Sequence, residues 1–339
     1  MNCQNRGVGT PSIFGVQQED IPSMALDSDS IKYLENRFGN NVKFDEPMSR
    51  HTSLRVGGPA EALVTPENLK DLKALVEWSW NNGLSYLIIG EGTNLLVKDS
   101  GIKGIVIVLT KCLKTIVQTG MESDVLIVTA SASVRMRSLC AYALKHGLEG
   151  MNFALGIPGT VGGGIMMNAG TSHGAMKNVL ESINVLLPTG RTRRIRREQL
   201  DLSYRTLSWN SELTDGYREQ TVILDGRFCL RPSDSEKLKK EARTILKTRR
   251  KKQPMGCPSA GCFYKNPSSG KTAGQLIEMA GLKGKSIGGA EISSKHANFF
   301  INRYNASAAD FLSLMALTEE TVSKKFNIDL KREVKIVGT

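Results

Sequence analysis

Aromatic residues make up only 6% of this 339-residue chain, and histidine occurs four times. His51, His146, His173 and His296 show no metal-ligand spacing, so the sequence gives no support to a metal site. Cysteine supplies no disulfide framework. The six are scattered, only Cys257 and Cys262 are close, and one C-x4-C pair without a second is a weak zinc signal. They read as thiols of a reducing compartment. Nor is there a membrane-spanning run. The uncharged stretch from Gly150 to Met176 is broken by Gly156, Pro158, Gly159, Gly162, Gly163, Gly164, Asn168 and Gly170. The opening residues, MNCQNRGVGTPSIFG, carry no apolar segment behind a basic start, so no signal peptide is expected and a cytoplasmic protein is. Acidic residues are in deficit: 33 against 45 Lys and Arg, for a formal charge of +12. That excludes an acidic disordered chain and favours anionic partners such as phosphates, a nucleotide cofactor or nucleic acid. Hydrophobic residues at 40% and charged residues at 23% are ordinary for a globular protein of about two domains, able to bury a core without staples.

Periodicity divides the chain. Residues 1–44 are polar and poorly periodic and are expected to form a loosely ordered extension, with one short helix near Asp29–Asn36. Thr65-Pro66 predicts a helix start, followed by Leu69, Leu72, Leu75 and Val76 on one face. SYLIIG, GIVIVL and DVLIVTAS predict strands, and Ser133 is placed to cap a helix that ends at Gly147. NVLESINVLL, RTRRIRR and TVILDGRFCL read as β-rich. Pro232, Ser233 and Asp234 then open a helix with Leu238, Ala242, Ile245 and Leu246 on one side. The remainder reads as a separate α+β lobe: a strand-loop at SAGCFYKNP, helices after Thr272 and Ser307, and a last strand, REVKIVG.

Several motifs carry chemistry. GEGTNLLV follows a strand, as an anion-binding nest of backbone N–H groups does, although it is also an ordinary tight turn and Leu95 stands where a dinucleotide fingerprint needs glycine. GIPGTVGGGIMMNAG has too many glycines for a turn, and close approach of backbone to a large flat or phosphorylated ligand is the natural gain. The basic runs RTRRIRR and KTRRKKQP lack interleaved aromatics, so they read as solvated faces rather than a nucleic-acid surface, with one lysine of the second run available for a phosphate. SYRTLSW, SAGCFYKNP and REVKIVG hold a cation, a potential acid and a carboxylate that spacing alone never joins.

Taken in order, LRVGGPA, GEGTNLLVKDSG, GIPGTVGGGIMMNAG, SYR, KKQP, SAGCFYKNP, AGQLIEMAGLKG, KHANFFIN and REVKIVG resemble the UDP-N-acetylenolpyruvoylglucosamine reductase family over residues 45–338, in the subtype without a substrate-covering tyrosine loop. The resemblance implies an α+β chain with the vanillyl-alcohol-oxidase/PCMH-type FAD-binding fold of two subdomains. These are expected at 45–232, divided near 110, with a substrate-binding lobe at 233–328 and a final strand at 329–339 returning to the flavin. It implies FAD, NADPH and a UDP-sugar substrate, a monomer, no nucleic acid, no membrane insertion and no metal. Flavin-binding residues by resemblance are Gly90, Glu91, Gly92, Thr93, Asn94 and Leu95, then Gly156, Ile157, Pro158, Gly159, Thr160, Gly162, Gly163, Asn168, Ala169 and Gly170. Tyr204, Lys252 and Asn266 match substrate-binding positions, with Lys251 a neighbour in ambiguous register. Arg205 and Glu333 match the residues that stabilise the enolate. Cys262 matches the proton donor, where most members carry serine; a thiol of ordinary pKa about 8.5 would be a readier acid, lose its proton as pH rises, and react with alkylating agents. The rivals are a sugar oxidase on the same flavin fold, for which no flavin-linking histidine stands out, and a basic RNA-binding protein, supported by charge alone.

Overall fold

A computed structural model describes residues 25–122 and 124–339. Three units follow along the chain. The first holds α1 (Ser28–Phe38), β1 (Val42–Pro47), β2 (Pro59–Val64), α2 (Leu69–Asn81), β3 (Tyr86–Ile89), β4 (Leu95–Val97) and β5 (Ile102–Val108). Its sheet runs β1-β2-β5-β3. The central β5 is buried at six of its seven positions, the continuous apolar run that a covered parallel strand requires. Residues 25–44 correct the expected boundary. Leu34 is fully buried and Phe38 nearly so, both in the core under this sheet, and Val42 to Phe44 pair with β2, so order begins well before residue 45. Residues 1–24 lie outside the described residues.

The second unit holds β6 (Ile116–Glu122), β7 (Val125–Ser131), α3 (Met136–Lys145), β8 (Leu148–Glu149), α4 (Val161–Met166), β9 (Gly170–Thr171), β10 (Gly174–Ala175), β11 (Leu180–Leu186), β12 (Thr192–Arg196), β13 (Leu200–Ser203), β14 (Thr206–Trp209) and β15 (Val222–Pro232). An antiparallel sheet in the order β12-β11-β15-β7-β6, with β8 attached to β15, carries the largest core. RTRRIRR supplies its edge strand β12, where Ile195 faces inward and the arginines face solvent, the charge pattern that keeps an edge from pairing with another chain.

The third unit holds α5 (Ser235–Lys252), β16 (Ser259–Cys262), α6 (Ala273–Met279), β17 (Ser286–Ile287), β18 (Ala290–Ile292), β19 (Phe299–Asn302), α7 (Ala308–Phe326) and β20 (Lys335–Val337). Its sheet, β16-β19-β18-β17, packs on α6 and α7 through Phe263, Phe300 and Phe311, with Phe263 and Phe300 stacked at 4.4 Å. This core also takes in Leu54, Val56 and Leu96 of the first unit. β20 leaves the lobe and pairs in parallel with β4.

Two expected caps move. Thr65 stays with the sheet, its N–H bonded to Asn41, and Asn68 caps α2 by accepting from the Asp71 N–H at 3.0 Å. The Ser133 hydroxyl donates to the Leu109 carbonyl at 2.6 Å, so α3 starts at Met136 without a side-chain cap. The caps expected at Asp234, Thr272 and Ser307 are in place, the last two as reciprocal capping boxes.

Candidate active site

The two glycine-rich segments lie against each other. A Cβ at Gly90 would stand 2.5 Å from Thr160 Oγ1, and one at Gly159, whose φ is +97°, would stand 2.6 Å from Thr93 Oγ1. Missing side chains thus let one loop enter the other. Among the described residues, no protein acceptor takes the backbone N–H groups of Glu91, Gly92, Thr93, Asn94, Gly159 and Thr160. Two facing loops with unpartnered donors form a cradle for an anion such as a diphosphate, and FAD fits that donor set. Gly162 and Gly164 have a packing reason of their own, independent of any ligand. They build the short helix α4 under the Thr160 cap, Gly162 N–H bonds Ala132, and Cβ atoms there would meet Ala132 at 2.9 Å and the Met136 methyl at 2.4 Å. At Gly163 a Cβ would find nothing nearer than the capping Thr160 oxygen at 3.6 Å.

The end of the glycine-rich segment positions the cation. Asn168 is buried and donates through Nδ2 to the Ser203 carbonyl at 2.7 Å, tying the segment to the β13–β14 hairpin. Tyr204 and Arg205 are the two turn residues of that hairpin, and Arg205 sits at φ +60°, a conformation that non-glycine residues adopt at a cost and that recurs at functional sites. Its guanidinium donates to the Gly170 carbonyl at 3.0 Å, and its Nε lies 2.8 Å from Glu333 Oε1. The pair is an ion pair by distance, yet the Nε–H is not aimed at the carboxylate and remains a buried donor without a hydrogen bond. Ala169 is buried, Ile157 packs on the core of the second unit, and Pro158 is exposed.

Glu333 is the junction. Its N–H donates to the carbonyl of Phe263, next to Cys262, at 2.7 Å. Its carbonyl accepts from Asn94 Nδ2 at 3.1 Å, and Lys335 N–H donates to the Asn94 carbonyl at 3.0 Å. Backbone and side-chain links through Glu333 therefore join the three chain-distant motifs and the first glycine loop, with Leu95 entering β4 alongside. Burial raises the Glu333 pKa, opposed by Arg205 and Lys265.

Cys262 ends β16. The residue is partly exposed, but its thiol is enclosed, and burial, seconded by the Glu333 charge, pushes its pKa up to about 12 against the pull of Arg205 and Arg249. The expected alkaline loss of the proton and ready alkylation are thereby corrected: a thiol held this high is almost wholly protonated across the physiological range.

Tyr204 and Asn266 meet: the Asn266 N–H donates to the Tyr204 hydroxyl at 3.4 Å, and Asn266 Oδ1 accepts from Ala273 at the start of α6. Lys251 and Lys252 are exposed at the end of α5, and nothing draws either toward this cluster. The sequence reading passed over Arg249, which donates to the Gly156 carbonyl at 3.0 Å and whose charge acts on Cys262 and Arg205. The signal was present: Arg249 falls four residues after Ile245 and seven after Ala242, on the buried face of α5, where a charged residue needs a reason.

No described helix is long and apolar enough to cross a membrane. The profile of the UDP-N-acetylenolpyruvoylglucosamine reductase C-terminal domain matches residues 253–337, and that of a FAD binding domain matches 60–196. The UDP-N-acetylenolpyruvoylglucosamine reductase of Desulfosudis oleivorans is 44% identical over 315 residues, spanning 92% of this chain and all of that protein. The Clostridium botulinum enzyme of the same name is 41% identical over 299 residues, 88% of this chain and 93% of that one. In structure, the UDP-N-acetylenolpyruvylglucosamine reductase of Thermus caldophilus aligns with a TM-score of 0.73 at 31% identity, covering 88% of this chain and 99% of that one. The expected vanillyl-alcohol-oxidase/PCMH-type FAD fold with an added α+β lobe is the fold observed. The chain belongs to the UDP-N-acetylenolpyruvoylglucosamine reductase family of flavin-dependent oxidoreductases.

Proposed function

We propose that this protein reduces the enolpyruvyl ether of UDP-N-acetylglucosamine enolpyruvate to UDP-N-acetylmuramate, with NADPH as electron source and Arg205, Cys262 and Glu333 as its catalytic residues. FAD held there would supply hydride chemistry, linking NADPH as electron source to C3 of the enolpyruvyl group. Glu91 to Asn94, Gly159 and Thr160 offer the backbone donors for its diphosphate.

The side chains answer the charge that develops at C2 and on the carboxylate. Arg205 stabilises that enolate; one preorganised donor of this kind contributes about 2.7–4 kcal/mol in comparable sites. Glu333 fixes Arg205 through the 2.8 Å pair and, its pKa raised by burial, bonds to the substrate carboxylate when protonated. Cys262 then gives its proton to C2, and burial together with the Glu333 charge keeps the thiol neutral until then, against the pull of Arg205 and Arg249. Tyr204 and Asn266 line the approach to the sugar nucleotide, and Lys252 reaches its phosphates from the surface.

The observation that carries this reading is the junction at Glu333, whose backbone touches both Phe263 beside the thiol and Asn94 in the glycine loop while its side chain holds Arg205. Oxidation of NADPH by the purified protein, dependent on the UDP-enolpyruvyl sugar, is the expected result. Sugar oxidation by O2 without NADPH would instead favour an oxidase.

A further inference from the structure

Among the described residues, Arg249 has no carboxylate partner. Arg205 is matched by Glu333 at 2.8 Å. Arg249 is not matched: the charged and titratable groups that act on it are Cys262 and Arg205, neither a carboxylate. Its Nε is buried with no hydrogen-bond acceptor, while another guanidinium nitrogen is anchored on the Gly156 carbonyl at 3.0 Å. The site is shaped to admit it. Gly156 adopts φ +79°, and a Cβ there would stand 2.7 Å from Arg249 Nε and 3.1 Å from its Cδ. Arg249 is only partly buried, but its Nε is enclosed, and an idle enclosed donor becomes favourable when a ligand brings an anion to it.

We propose that Arg249 is a specificity-determining residue whose free Nε–H binds the carboxylate of the enolpyruvyl group. The inference rests on the reaction proposed above. The carboxylate is favoured over the diphosphate because the groups that share Arg249's field are Cys262 and Arg205, the pair assigned to the enolpyruvyl end. Glycine at position 156 then has a functional reason, since it leaves room for the guanidinium that reads the substrate.

The test uses the full-length, FAD-loaded protein and the variants Arg249→Met, Arg249→Lys and Gly156→Ala. Losing one charge-assisted hydrogen bond predicts a rise of about 10- to 100-fold in KM for the UDP-enolpyruvyl sugar in Arg249→Met. Gly156→Ala, whose methyl displaces Nε, should move KM the same way. Arg249→Lys keeps the charge without the planar fork and should fall between wild type and methionine. The discriminating probe is UDP-N-acetylglucosamine, which has the diphosphate and lacks the carboxylate. Its Kd by calorimetry should be the same for Arg249→Met and wild type. An equal loss for both ligands would assign Arg249 to the diphosphate and overturn the proposal. So would a shifted flavin midpoint potential with unchanged substrate KM, which would assign it to the cofactor. A wild-type protein that binds the UDP-enolpyruvyl sugar but does not oxidise NADPH with it overturns the reaction, while carboxylate-dependent binding lost in Arg249→Met would still uphold the contact.

Discussion

In the proposed reaction the thiol of Cys262 holds its proton until C2 needs it, and its surroundings favour that. Burial and the Glu333 charge favour the neutral form more than Arg205 and Arg249 favour the thiolate, so the pKa rises to about 12. A group with a raised pKa stays protonated until pH climbs to that value. Single-turnover reoxidation by substrate should therefore show no alkaline limb near 8.5; a limb there in wild type that vanishes in Cys262→Ser would contradict the raised pKa. The same neutrality makes the thiol a poor nucleophile. Iodoacetamide at pH 8 should label Cys262 much more slowly than an unfolded peptide containing it, as read by mass spectrometry. Cys262→Ser, a smaller hydroxyl acid in the same place, should keep activity. Arg205 was readable from its SYR context only through the family resemblance. Its left-handed turn, its bond to Gly170 and its pairing with Glu333 depend on contacts between segments that no local pattern encodes.

Helices and loops set those residues in place, and local rules explained some of them well. Ser307 with Asp310, and Thr272 with Gln275, satisfy exposed amide groups within four residues, so short-range chemistry suffices to find them. Replacing Ser307 by Ala should lower stability by about 1 kcal/mol, seen as a lower midpoint in urea with unchanged slope. Ser133 does not cap because its hydroxyl is taken by the Leu109 carbonyl, and at α2 the cap falls to Asn68, directly before the helix, rather than to Thr65. Arg249 stayed hidden at the start of a run of four basic residues, where charge obscured helical period. The glycines of the second loop were rightly marked as special, but the reason at Gly162 and Gly164 is packing against Ala132 and the methyls of Met136 and Met176. At Gly92 the φ is +57° and a Cβ would stand 2.1 Å from the His51 carbonyl oxygen. Gly92→Val should displace the first loop and weaken FAD binding, measured as loss of bound flavin absorbance on dilution and filtration.

At the scale of the whole molecule, the site exists because the chain closes on itself. β20 pairs with β4, and the short segment before it brings Glu333 between Phe263 and Asn94, so the last few residues complete a site begun near residue 90. The C-terminal lobe is packed against the first unit through Leu54, Val56 and Leu96, which makes that closure part of a hydrophobic core. Removing residues 331–339 should cost both the carboxylate and this strand pairing, giving a protein with a lower Tm and no substrate-dependent NADPH oxidation. The most direct test of the convergence of Arg205, Cys262 and Glu333 is anaerobic stopped flow, in which NADPH-reduced protein is mixed with the UDP-enolpyruvyl sugar and flavin absorbance is followed. Reoxidation is predicted to be fast in wild type, retained in Cys262→Ser and slowed about 100- to 10,000-fold in Cys262→Ala. Equal rates for wild type and Cys262→Ala would contradict it.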